Sequence, residues 1–381
     1  MSDRTPAVNI KKAENNREIK ALTSLRGVAA IAVVLQHFSA TAQLHSSGWI
    51  PSIVPHGYMA VDFFFVLSGF IMSYNYFPLF QSDGIRAFLP FFLKRVARIF
   101  PLGLTILATI LLLGGVASIW GRSDLFVNQK AVQVGLTSSI FVNVLHLQGF
   151  SYRYNLNDPS WSISVEMAAY LLFPIFIYVV FNGPRLISLA FFLVGTLIMS
   201  SVALTLPRLG LAVRSVPFDL VRCFTEFGYG MLVYRLFRTQ GRVRTIGGDA
   251  WTWGITALSV TTLVLRFDLL AAFSFPLVVL AWAWNTGSAS RIMSSRVPYF
   301  FGVISFSIYL VHHLFRRPEL ELLQHFWPSP VSPAFALAFA FAGSVSVIPV
   351  AVLAYYHVER PGRTAINFLV RRWQGQVRAL A

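Results

Sequence analysis

The sequence predicts an all-α integral membrane protein of about ten transmembrane helices, with both termini cytoplasmic. Three observations carry that. Of 381 residues, 56% are hydrophobic and only 12% are charged, about half the charge of a soluble domain. Apolar runs near the ~20 residues needed to cross a bilayer recur along the chain. The lysines and arginines behind the net charge of +16 cluster between those runs, the positive-inside pattern. That clustering accounts for the charge without a nucleic-acid partner. One cysteine, Cys223, permits no intramolecular disulfide.

In chain order the spans are read at about 22–42, 57–77, 99–119, 160–181, 186–206, 218–237, 249–265, 269–286, 298–315 and 333–357. Residues 1–20 form a polar cytoplasmic tail in this reading. A signal peptide is the rival, but the leader is long and Arg26 interrupts the apolar run. Arg4, Lys11, Lys12 and Arg17 place the N-terminus inside, as Arg86, Lys94, Arg95 and Arg98 place the second loop. Arg235, Arg238, Arg242 and Arg244 mark another inner loop, and Arg360, Arg363, Arg371, Arg372 and Arg378 the C-terminus. Arg316 and Arg317 fall outside, against the trend. Residues 132–148 are apolar but short, and a crossing there would invert every later cluster. They are read as re-entrant or interfacial. The main domain is thus 21–361, followed by an amphipathic tail, 362–381, lying on the inner surface.

Ionisable residues inside apolar runs are costly and usually functional. Arg26 and His37 share the first span, three turns and ~16 Å apart in depth. Counted at ~1.5 Å per residue, His37, Asp62, Glu166 and His312 all come to the outer half of the bilayer, within about one turn. Arg26, Arg95 and Arg98 lie toward the inner side. A carboxylate beside an imidazole makes a general base, and clustered arginines suit phosphate. The layout reads as a cytoplasmic anion site joined to an outward proton-transfer site. No metal site is expected. Each residue also has a structural reading: Arg26 snorkelling, Asp62 packing helices, Trp161 and Tyr309 as packing or belt residues, and His312 as an outer-edge structural residue.

Six motifs occur in order: Arg26-x10-His37; Gly57-Tyr58-Met59-Ala60-Val61-Asp62, continuing to Phe70; Arg95-Val96-Ala97-Arg98; Asn157-Asp158-Pro159-Ser160-Trp161, continuing to Glu166; Ser305 to His312; and Glu359-Arg360-Pro361. Together they resemble the membrane-bound acyltransferase 3 family, which O-acylates surface glycans, over Leu22 to Pro361. The resemblance implies a ten-helix domain in the bacterial inner membrane that takes its acyl group from acyl-CoA, usually acetyl-CoA. It implies His37 as the catalytic residue, a general base or an acyl carrier, with Glu166 and Asp62 beside it. Arg26, Arg95 and Arg98 become donor-binding residues. Trp161, Tyr309 and His312 are left to the acceptor side or to structure. The expected acceptor is an exopolysaccharide, lipopolysaccharide or lipid-linked saccharide rather than peptidoglycan, because no extracytoplasmic domain follows the last span. The oligomeric state is not legible. A proton-coupled transporter is the competing reading, weakened by the lack of an internal repeat and of a pair of broken helices in corresponding positions.

Overall fold

A computed structural model describes residues 18–49, 56–206, 210–213, 215–238 and 248–380, with side chains to residue 372. The tail cluster from Arg4 to Arg17, the loop arginines Arg242 and Arg244, and the side chains of Trp373, Val377 and Arg378 lie outside the described residues. The chain is 86% helical without strands among the described residues; one bridge joins Ser46 to Val331.

The helices follow the predicted spans closely. They are α1 (Lys20–Gln43), α2 (Ala60–Asp83), α3 (Phe88–Ser118) and the short α4 (Gln129–Val144). Then come α5 (Ser160–Leu171), α6 (Phe173–Ile177) running into a π-turn, α7 (Arg185–Thr205) and α8 (Val216–Arg238). Next are α9 (Asp249–Val264), α10 (Asp268–Trp284) and α11 (Ser288–Met293). The chain ends with α12 (Arg296–Val303), α13 (Ser305–Val311), α14 (His313–Phe326), α15 (Pro333–Ala354) and α16 (Arg360–Leu380).

Among the described residues, four stretches are long and apolar enough to cross a membrane: Lys20–Gln43, Gly57–Ser118, Arg185–Thr205 and Pro333–Arg372. The α5–α6 pair, bent by 62°, makes a fifth if counted as one span. The other predicted spans have identifiable reasons for falling short. The α8 helix carries Asp219, Arg222, Glu226, Arg235 and Arg238. The α9 and α10 helices have 16 and 17 residues. The ninth span is broken at Ile304 and again at His312. The segment 132–148, read as re-entrant or interfacial, falls mainly in the short helix α4, which is not among the spanning stretches. That helix is broken at Gly135 (φ 131°), a backbone conformation that residues with a Cβ rarely adopt.

The tightest helix pair is α2 against α8. A Cβ on Gly69 would lie 1.9 Å from the Phe227 carbonyl oxygen, and one on Gly230 would lie 1.9 Å from that of Val66. The two backbones therefore touch, as small residues allow between membrane helices. This contact splits α2 into two working faces. Val61, Phe64, Phe65, Ser68, Ile71 and Met72 recur at helical spacing on one side and line a cavity. Asp62, Val66, Gly69 and Phe70 lie on the other, against α8.

Gly69→Ala and Gly230→Ala should each lower stability by about 1–3 kcal/mol, the usual range for overpacking. Gly254→Ala, in α9 with nothing within 4 Å of the added methyl, should leave it unchanged or slightly raised. Thermal unfolding in detergent checks all three.

Candidate active site

The predicted site residues do not meet at one point; the structure distributes them over three places. The first is a neck of arginines. Arg26 of α1 and Arg95 and Arg98 of α3 line two adjoining cavities. On one side lies an apolar chamber of about 140 Å³, walled by the α2 face, Ser162, Ile163, Glu166 and Tyr170 of α5, and Ser305, Phe306 and Tyr309 of α13. On the other lies a vestibule of about 540 Å³ whose wall includes Lys94, Tyr299, Arg363, Asn367 and Arg371. Arg95 and Arg98 are held differently. Arg95 donates to Tyr76 Oη at 2.9 Å and lies over its ring, while its Nε is buried without a hydrogen-bond partner. Arg98 is ion-paired to Glu359, which also accepts from Ser307 Oγ at 2.6 Å. A buried carboxylate needs such partners. Arg98 also stacks over Phe306, 5.2 Å from its centroid.

The second place is a histidine pair toward the Gln43 end of α1. His37 Nδ1 lies 2.8 Å from His312 Nε2, and His312 Nδ1 lies 2.7 Å from the carbonyl oxygen of Tyr309. A carbonyl only accepts, so the proton on that side belongs to His312 Nδ1. Its Nε2 then carries the lone pair that receives His37 Nδ1–H. The chain of bonds assigns His37 the tautomer whose basic nitrogen is Nε2. Tyr309, the anchor, is itself fixed: its hydroxyl is 2.7 Å from Ser162 Oγ and donates to the Pro159 carbonyl at 3.0 Å. One turn beyond the pair, Arg316 donates to Thr41 at 3.3 Å.

The third place corrects the expectation for Asp62. It lies on the α8 face of α2, fully buried, in a two-pronged ion pair with Arg222. Asp219 stands 3.8 Å from the same guanidinium and accepts from Tyr152 Oη; Glu226 abuts Asp62. Trp161 belongs here as well. Its ring lies 6.0 Å from Arg222 and meets Phe65 and Tyr152 edge-on. Asp62 and Trp161 therefore hold α2, α5 and α8 together. Glu166 is likewise displaced from the expected role: it accepts from Tyr170 Oη at 2.6 Å in the chamber wall, and the partner on His37 Nδ1 is His312.

Sequence reasoning missed Arg222, Asp219 and Glu226, although they recur at helical spacing in one apolar span, the signal of buried charge. It quoted Glu359 in a motif without giving it a task.

The acyltransferase domain profile matches residues 19–356. The acyltransferase MdmB of Streptomyces mycarofaciens is 30% identical over 161 residues, 41% of this chain and 38% of that protein. A provisionally named O-acetyltransferase of Staphylococcus aureus (strain COL) is 24% identical over 43% of this chain and 25% of its own length. A provisionally named peptidoglycan O-acetyltransferase, YrhL, of Bacillus subtilis (strain 168) is 26% identical over 44% and 25%. The matches thus span well under half the length of these relatives. No solved structure matches.

Removing one partner of a buried ion pair costs about 3–5 kcal/mol, whereas replacing both by apolar residues is often neutral. Arg222→Met and Asp62→Leu should each destabilise by that amount, and the double variant should recover most of it. Comparison of the three unfolding midpoints in detergent checks this. The chain is a multi-pass membrane protein of the acyltransferase 3 family.

Proposed function

We propose that this member of the acyltransferase 3 family is an O-acetyltransferase that draws its acyl group from cytoplasmic acyl-CoA and delivers it to a glycan hydroxyl at the opposite side of the bacterial inner membrane. The observation that carries the reading is the neck: Arg26, Arg95 and Arg98 stand between a cation-lined vestibule and an apolar chamber. CoA has that polarity, with phosphates at one end and a thin pantetheine arm at the other. The vestibule would hold the phosphates, where planar guanidinium groups make paired, charge-assisted bonds. The unpartnered Arg95 Nε is one donor available there. The arm would lie in the chamber, which reaches Tyr309, the residue whose carbonyl fixes His312.

In the reaction, His37 Nε2 takes the acceptor hydroxyl proton as its oxygen attacks the thioester carbonyl. A C–O bond forms, the C–S bond breaks, and the CoA thiolate leaves and is protonated. His312 keeps the His37 tautomer and spreads the developing positive charge along the pair. This replaces the expected Glu166 partner; Glu166 lies within electrostatic reach of Arg95 and serves the donor side. An acyl-histidine route on the same Nε2 is the variant to trap with a slow acyl donor.

The glycan acceptor rests on the relatives' names, one of which specifies peptidoglycan. An exported or lipid-linked saccharide is our first choice, approaching where Arg316 and Thr41 meet beyond the histidines.

With purified protein, acetyl-CoA and a panel of deacetylated surface glycans, ester formation is the expected result. No ester, with substrate exchange across vesicles instead, would return the reading to a carrier. His37→Ala should abolish transfer while acyl-CoA still binds. His312→Ala should lower kcat by about 10²–10⁴-fold, as for loss of acid–base assistance, with little change in donor KM. Arg95→Ala should raise donor KM about ten- to a hundredfold, from a lost charge-assisted contact of about 1.5–3 kcal/mol.

A further inference from the structure

The vestibule has a wall that the arginine motifs do not supply. We propose that α16, the C-terminal helix, is part of the donor site and grips the nucleotide end of CoA through Arg363 and Arg371. This rests on the donor reading above.

Arg363, Asn367, Val370 and Arg371 all line the vestibule. Their spacings of four, three and one place them on one face of α16, within about a third of its circumference. Arg372 is exposed and points elsewhere. The helix is seated rather than loosely appended: a Cβ on Gly362 would come 2.5 Å from Pro101 of α3. Its start is keyed to the neck. The π-turn Tyr355–Glu359 that leads into it carries Glu359, the partner of Arg98, and such turns recur at functional sites. Asn367 lines the cavity and its buried Oδ1 has no hydrogen-bond partner, an acceptor that a small side-chain rotation would offer to an adenine amine or a ribose hydroxyl.

Charge supplies the ligand class. Arg26, Lys94, Arg95, Arg98, Arg363 and Arg371 face the vestibule, against Glu18 as its only acidic lining residue among those described. That carboxylate already accepts from Thr23 at 2.7 Å and from Tyr299 at 2.8 Å. Such an excess fits a ligand with several negative charges. The pyrophosphate and 3′-phosphate of CoA provide them, and Arg363 and Arg371 add two cations to the three of the neck. Anionic lipid headgroups offer the same phosphate chemistry to an amphipathic helix, so the test separates the two.

The experiment compares donor binding and turnover in nanodiscs of wild type, Arg363→Ala, Arg371→Ala and Arg372→Ala, using acetyl-CoA, 3′-dephospho-acetyl-CoA and acetyl-pantetheine. Arg363→Ala and Arg371→Ala should raise KM for acetyl-CoA by roughly 3- to 30-fold, a charge-assisted contact discounted for solvent. KM for acetyl-pantetheine should stay the same, and Arg372→Ala should change neither. Preference for acetyl-CoA over the dephospho form should shrink in at least one variant. If all donors weaken equally, and only in discs containing anionic lipid, the arginines serve the membrane and the proposal fails. It also fails if neither variant alters acetyl-CoA. A titration with adenosine 3′,5′-bisphosphate separates the two readings. Binding that depends on α16 without any acyl transfer would refute the acyltransferase reading and keep the nucleotide grip; no binding to wild type that still forms ester would end the grip and leave the acyltransferase reading standing.

Discussion

Glu359 joins the parts of this molecule that must act together. Its carboxylate is almost fully buried, accepts from Arg98 on α3 and from Ser307 on α13, and sits in the turn between α15 and α16. A buried charge without partners would be too costly to keep, so these elements are held in register. The consequence reaches both ends of the proposed reaction. Arg98 belongs to the neck, and two residues after Ser307 stands Tyr309, whose carbonyl fixes His312 and through it His37. One acid thus links the placing of the anion site to the placing of the base.

A second division of labour lies in α2. One face walls the chamber, and the other is fused to α8 by backbone contact and by the Asp62–Arg222 ion pair. A chamber wall backed by a packed helix would keep its shape around the thioester arm proposed to enter it, so less ordering would be left for binding to supply. The same division explains why a charged residue in a membrane helix need not be chemical. Asp62 is as deep in an apolar helix as His37, but its position on the helix turns it toward Arg222 of the neighbouring helix, not a cavity.

Much of the architecture was legible because hydropathy and charge are one-dimensional signals: α1, α2, α7 and α15 begin and end close to where the apolar runs do. The neck was legible for the same reason, since Arg26, Arg95 and Arg98 share an end of the chain's helices. Depth alone misled elsewhere. It put Asp62, Glu166, His37 and His312 at one level, but two residues at equal depth can face opposite sides of a helix. Only the His37–His312 pair survived the third dimension. Breaks at Ile304 and His312, and the bend after Leu171, also escaped notice: Gly302 and Pro174 stand near the first and the last but inside runs apolar enough to read as continuous, and neither residue type marks His312. The place of α16 in the vestibule wall was hidden because its arginines looked like ordinary inner-surface charges.

The central claim is that the arginine vestibule and the histidine pair open to opposite sides of one membrane. Single cysteines placed at Arg371, on the vestibule rim, and at Ser47, exposed just beyond the histidine end of α1, test it directly; the native Cys223 is buried. With a membrane-impermeant maleimide on sealed vesicles of known orientation, Arg371→Cys should label only from the cytoplasmic face and be protected by CoA. Ser47→Cys should label only from the opposite face, with CoA making no difference. Labelling of both from the same face would contradict the account.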